Sequence, residues 1–213
     1  MSSDTAKSYP AERLRAFVDA VVAIAMTLLI LPLMESASEA SKFQREHPDF
    51  NTVQFFAEHS GQVGALIMSF SLIALAWSMH HRLYSAVQHI TTSLVWLNIV
   101  WMFMIICLPV TTALVGALRT DSGLLIVYVG NLVLLYMSSL AGRLYLLRHP
   151  NLIDASNTTV RNGVVADVVA VVLFLVALGL ALVMPVLGFS TLLLMLFTPL
   201  VAKLFSRDET LQA

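Results

Sequence analysis

An ionisable carboxylate stands where hydrocarbon would be expected. Residues 13–33 read RLRAFVDAVVAIAMTLLILPL, and from residue 20 to residue 33 the only polar side chain is Thr27, yet Asp19 lies at the start of this run. A charge inside an apolar helix is expensive unless it is paired or wet, so by default it marks a site. The groups able to pair with it are Arg13 and Arg15 beside it and the later string WSMHHRLY, which holds Trp77, His80 and His81, with Asn98 further on. A carboxylate, a guanidinium, imidazoles, an indole and an amide can satisfy one another's donors and acceptors. Such a set reads as a structural clamp, and its imidazoles would let it respond to pH. It does not read as a metal centre: adjacent His residues on a helix diverge by about 100°, whereas helical zinc motifs place them at i and i+4. Asp167 opens a later apolar run and is expected to pair with Arg161 or water at the interface.

Nucleophilic or redox chemistry finds no support. Cys107 is the single cysteine, which leaves neither a disulfide framework nor a thiolate zinc site. No GxSxG or HExxH string occurs, so the chain is not read as an enzyme and no catalytic residue is assigned. The net charge of -1 carries no basic patch for nucleic acid.

The elements that must position the clamp follow from composition. Of the 213 residues 58% are hydrophobic and only 12% charged, against about 25% charged in soluble domains. About 20 apolar residues cross a bilayer core, and six such runs are read, at residues 15–33, 61–79, 93–117, 123–142, 163–184 and 187–205. The expected fold is therefore all-α: one polytopic membrane domain over residues 1–213, with six transmembrane helices per subunit. Lys7, Arg13, Arg15, Arg82, Arg143, Arg148, Arg161, Lys203 and Arg207 fall on one side, and Lys42, Arg45 and Arg119 on the other. The positive-inside rule then puts both termini in the cytoplasm. No cleavable signal peptide is expected, because the first apolar run continues too far. Residues 34–60 are expected to be a polar external loop with a surplus of acidic side chains, and residues 185–188 a tight turn between the last two helices.

On a helical wheel Ile24, Leu28 and Leu31 form one apolar stripe flanked by Thr27, and Asp19 lies about 140° away from Ile24. Ala16, Ala20 and Ala23 make a small-residue ridge that admits close approach of another helix. Periodicity alone makes the stripe an ordinary packing or lipid surface.

The order Arg13, Phe17, Val18, Asp19, followed by Ala23, Ile24, Ala25, Thr27, Leu28 and Leu29, resembles the RxxxFSD signature and AIAxTLL-like run of the transmembrane protein 175 family of potassium channels. Val18 stands where that family usually has Ser, so a hydroxyl is lost. Trp77, His80, His81, Leu97 and Asn98, then LPVTTALV over residues 108–115, are similar to the family pattern as well. The resemblance implies a potassium-preferring cation channel, a homotetramer in the prokaryotic plasma membrane with lipid as its surroundings, and no cofactor beyond the permeant potassium ion. It implies that the first helix of each subunit lines the pore, with Ile24 as the principal constriction, Leu28 and Leu31 further along, and Thr27 as a hydroxyl layer. It also implies roles for Arg13, Phe17, Asp19, Trp77, His80, His81 and Asn98 in holding that helix. A small proton- or cation-coupled transporter is the alternative, opposed by the lack of a Gly or Pro break in the central part of the first helix. No TVGYG-like carbonyl filter is present, so modest selectivity is expected.

Overall fold

A computed structural model describes residues 9–119, 121–153 and 157–183. Its long helices are α1 (Ala11–Leu28), α2 (Leu31–Glu46), α4 (Ser60–Ser85), α5 (Thr92–Ala117), α6 (Ser122–Arg148) and α7 (Asn157–Val183), with a short α3 (Thr52–Glu58) before α4. Among the described residues five helical segments, the first combining α1 and α2, are long and apolar enough to cross a membrane. The sixth expected span, residues 187–205, and the turn at 185–188 lie outside the described residues.

Side-chain caps define several helix starts. Thr91 accepts from the Leu94 amide to begin α5, and Asp121 accepts from the Leu124 amide at 2.7 Å to begin α6. Such caps satisfy amides that have no partner within the helix. The second and fourth spans run six residues beyond their expected ends at 79 and 142, to Ser85 and Arg148. Hydropathy falls at His80 and Arg143, but both are buried, so tertiary partners carry these helices on.

Two expectations are corrected. The first helix does not continue to residue 33: α1 ends at Leu28, residues 29–30 form a turn, and Leu31 belongs to α2, which has Pro32 in its first turn. Proline has no N–H and its ring crowds the carbonyl four residues earlier, which interrupts the ladder here. Nor is 34–60 an irregular loop. It folds as most of α2, then α3, whose Asn51 and Gln54 form a reciprocal capping box. α2 buries no residue and is tied to α4 by the Ser36 hydroxyl, which donates to Gln62 Oε1 at 2.9 Å.

The core lies between α1, α4, α5, α6 and α7. Val18, Val22 and Ala25 of α1, with Leu29 just past its end, share one core cluster with Leu72 and Ile73 of α4, Ile105 and Leu108 of α5, and Tyr128, Leu132 and Phe174. At the end of the bundle where α1 starts, β1 (Tyr9–Pro10) pairs antiparallel with β2 (His89–Ile90), so the entry to α1 is stitched to the α4–α5 connection. A second apolar cluster around Tyr84, Ile90, Leu94 and Leu146 fills that end.

Most polar side-chain groups inside the bundle are paired; among the described residues Asp167 Oδ1 is a buried side-chain atom without a hydrogen-bond partner. Ser69 shares hydrogen bonds with the Tyr128 hydroxyl and with Thr112, at 2.9 and 2.7 Å. Asp167 is fully buried, and its partner is not Arg161 but Arg143 of α6, whose Nε donates to Oδ2 at 2.8 Å, while Ser139 adds a bond to the same oxygen at 3.0 Å. Arg143 Nη2 also reaches the Met79 carbonyl at 3.3 Å, so one guanidinium joins α4, α6 and α7. Gly163 makes room for it: a Cβ there would run into the guanidinium. Breaking a buried ion pair by removing one partner costs about 3–5 kcal/mol, because the other charge is left uncompensated. Arg143→Met is therefore expected to lower the melting temperature in detergent strongly, and Arg143→Met with Asp167→Leu to recover most of the loss. Equal losses in the single and double variants would refute this account.

Candidate functional site

The two faces of α1 differ in what they meet. Val18, Val22, Ala25 and Leu29 are buried against α4 and α5. On the far side Phe17, Ile24, Leu28 and Leu31 are exposed in the single subunit, Ile24 at 60%, Leu28 at 39% and Leu31 at 45%. Ala16, Ala20, Ala23 and Thr27 share this uncovered side. Leu31, the first residue of α2, lies past the break and is exposed as well. The Thr27 hydroxyl donates to the Ile24 carbonyl at 2.7 Å, which parks its proton on the backbone and leaves its lone pairs outward.

Asp19 anchors the edge of the buried face. Its Oδ1 accepts from Trp77 Nε1 at 2.7 Å and lies 3.4 Å from His81 Nδ1, both on α4. The indole contact is short and charge-assisted, the strong kind of hydrogen bond. The imidazole contact is long and therefore weak. Four residues earlier, on the same side of α1, Arg15 Nη1 donates to the Ser85 carbonyl at 3.2 Å and ties α1 to the end of α4.

A second bond set lies behind the first. His80 Nε2 meets Asn98 Oδ1 at 2.9 Å, and Asn98 Nδ2 donates to the Leu94 carbonyl of its own helix at 2.8 Å. The His80 ring is stacked between Tyr84 and Trp101, with centroids 4.3 and 4.0 Å away. α4 thus hands one imidazole to α1 and the other to α5, which follows from the divergence of adjacent residues on a helix. Val18, 2% exposed, lines a small cavity together with Asp19, His80 and Asn98.

Of the expected network, Asp19, Trp77, His80, His81 and Asn98 converge. Arg13 and Phe17 do not: both sit on the uncovered face of α1, and among the described residues Arg13 makes no ion pair. The wheel carries the signal for this. Arg13 lies about 120° from Asp19, whereas Arg15 is one turn from it at about 40°. Arg143, Ser139 and the partnership with Asp167 went unseen, because residues 24 apart on separate helices leave no periodic trace. Among the described residues no group of three or more His, Cys, Asp or Glu side chains is placed to hold a metal ion.

Residues 13–109 match the model of a family described as endosomal/lysosomal potassium channel TMEM175. A potassium channel of Chryseobacterium is 30% identical over 105 residues, which cover 49% of this chain and 48% of that protein. An endosomal/lysosomal proton channel TMEM175 of Danio rerio is 30% identical over 104 residues, 49% of this chain and 19% of that protein. The matched stretch thus spans about half or less of these relatives' own length. Among solved structures, a lysosomal potassium-selective channel TMEM175 homolog from Chamaesiphon minutus has the same fold, with a TM-score of 0.62 at 21% identity, covering 90% of this chain and 97% of that one. A single-residue variant of the potassium channel MtTMEM175, solved in complex with a nanobody fusion protein, aligns with a TM-score of 0.57 at 15% identity over 99% of this chain and 98% of that one. These are channels, not enzymes, and the chain is a multi-pass membrane protein.

The Asp19 clamp generates a stability test. A hydrogen bond to a charged group contributes about 1.5–3 kcal/mol, so Trp77→Phe is expected to lose an amount in that range on denaturation in detergent. With Asp19→Asn already present, the same substitution should cost clearly less. Full additivity of the two changes would show that the indole and the carboxylate act independently.

Proposed function

Over residues 13–109 the chain belongs to the TMEM175 family, and from that premise we propose that it is one subunit of a potassium-preferring cation channel whose path is bordered by the uncovered face of α1. The observation that carries this reading is the two-sidedness of α1. One face is bolted to α4 and α5 through Asp19 and a packed apolar strip, while the side chains of Ile24, Thr27, Leu28 and Leu31 are left exposed among the described residues. A single helix cannot enclose a path, so several copies contribute one α1 each, four by the family resemblance. The ridge of Ala16, Ala20 and Ala23 lets those copies approach closely.

Conduction through such a ring rests on branched hydrocarbon. Apolar side chains at a constriction expel water and gate by dewetting. A cation crossing Ile24 must shed or squeeze its hydration shell, and potassium, larger and less tightly hydrated than sodium, loses less in doing so. Discrimination of this kind is modest. The bias of Lys and Arg among the connections supports a cytoplasmic location for the start of α1 and for both termini, and the bacterial relatives support a prokaryotic plasma membrane.

Proton permeation is the second reading, favoured by the names of the animal relatives. A coupled transporter is less supported. The break in the first span lies between α1 and α2, after 18 helical residues, a length of about 27 Å at 1.5 Å per residue, hence toward one edge of the bilayer and away from the midplane where transporter sites commonly form. Reconstitution in a planar bilayer under potassium and sodium gradients separates the three: unitary potassium currents are expected, a carrier gives none, and a proton path follows the pH gradient instead. In the same system Ile24→Asn is expected to wet the constriction and drive the potassium-to-sodium permeability ratio toward unity. An unaltered reversal potential in that variant would remove Ile24 from the path.

A further inference from the structure

Arg13 opens the family signature, yet the clamp makes no use of it. Among the described residues its side chain is exposed and has no hydrogen-bond or ion-pair partner. At 100° per residue Arg13, Phe17, Ile24 and Leu28 fall within about 60° of one another on α1. Phe17 and Ile24 are 58% and 60% exposed and Leu28 is 39% exposed, so Arg13 heads the same uncovered row. The acidic residues of α1 stand on another flank: Glu12 and Asp19 lie about 100° and about 120° round from Arg13, and Asp19 is committed to Trp77 at 2.7 Å. Two further arginines at this end of the bundle are engaged. Arg15 donates to the Ser85 carbonyl, and Arg82 folds back on Ser78 of its own helix with two bonds of 3.2 Å.

We infer that Arg13, repeated by each copy of α1, forms a ring of positive charge at the end of the path where α1 begins, and that this ring limits how fast cations enter there. The ring rests on the channel reading of α1. Basic side chains around a mouth repel cations, as acidic ones gather them. Low-dielectric walls focus such a field along the path. Its reach is set by salt. Arg13 and Ile24 are 11 residues apart, about 16 Å of helix at 1.5 Å per residue. The screening length is about 30 Å at ~0.01 M salt and about 3 Å at ~1 M. In dilute salt the potential of the ring therefore extends to the Ile24 constriction, and in concentrated salt it ends at the mouth. Potassium and sodium carry the same charge and feel it alike. Arg13 then governs how often a cation arrives, and Ile24 governs which cation passes.

The test is the unitary potassium conductance of the full chain in planar bilayers of neutral lipid, at ~0.01 M and at ~1 M potassium chloride. Arg13→Gln is expected to raise conductance at least about twofold in the dilute salt. Arg13→Glu should raise it further, and Arg13→Lys should match the unaltered protein. All four proteins are expected to agree in the concentrated salt and to share one reversal potential under opposed potassium and sodium gradients. Arg82→Gln removes a charge at the same end but away from the row, and is expected to change nothing. Equal conductance of the unaltered protein, Arg13→Gln and Arg13→Glu in dilute salt, or an equal rise in Arg82→Gln, overturns the ring while leaving the channel intact. An unaltered protein that passes no potassium current at all overturns the channel reading, and the ring falls with it.

Discussion

The hydrogen bond from Trp77 to Asp19 fixes the rotation of α1 about its own axis. A helix in a bilayer gains little from apolar burial, because lipid tails offer the same contact as a neighbouring helix, so orientation is set by polar bonds and close packing. Asp19 supplies the strongest such bond on α1, and it reaches sideways into α4. Once that carboxylate is held, the buried strip of Val18, Val22, Ala25 and Leu29 is committed to the bundle and the strip of Ile24, Leu28 and Leu31 is committed away from it. Turning α1 by one residue would bury part of the apolar stripe and pull the carboxylate off its indole.

The rest of the subunit braces that helix. The β1–β2 pairing closes the end where α1 begins, Arg15 pins the same end to the last turn of α4, and His80 with Asn98 locks α4 to α5 beneath Asp19. Further from α1, Arg143 joins α4, α6 and α7 through Met79 and Asp167. The outward faces of α5 and α7 carry large apolar side chains suited to lipid.

Pro32 divides the work of the first span. Before it, α1 presents side chains; after it, α2 leaves the core altogether and is tethered by Ser36 and Gln62 alone among the described side-chain bonds. The interruption lets the acidic α2 and the capped α3 take a course apart from the bundle.

Much of this was legible in residue order. The apolar run lengths determined the number of spans in the described part, and the wheel determined that Asp19 and Ile24 lie on different sides of one helix, because helical periodicity is local and insensitive to what surrounds it. The convergence of Asp19, Trp77, His80, His81 and Asn98 was readable from topology, since the first helix begins, the second ends and the third begins at one end of the bundle. Tertiary structure alone decided that Asp167 takes Arg143 as its partner and that most of 34–60 is helical. Each of these depends on which distant group arrives at hydrogen-bond distance, or on a backbone whose propensities are close to balanced. A linear pattern records which way a side chain points from its own helix; only the packed bundle determines what it finds there.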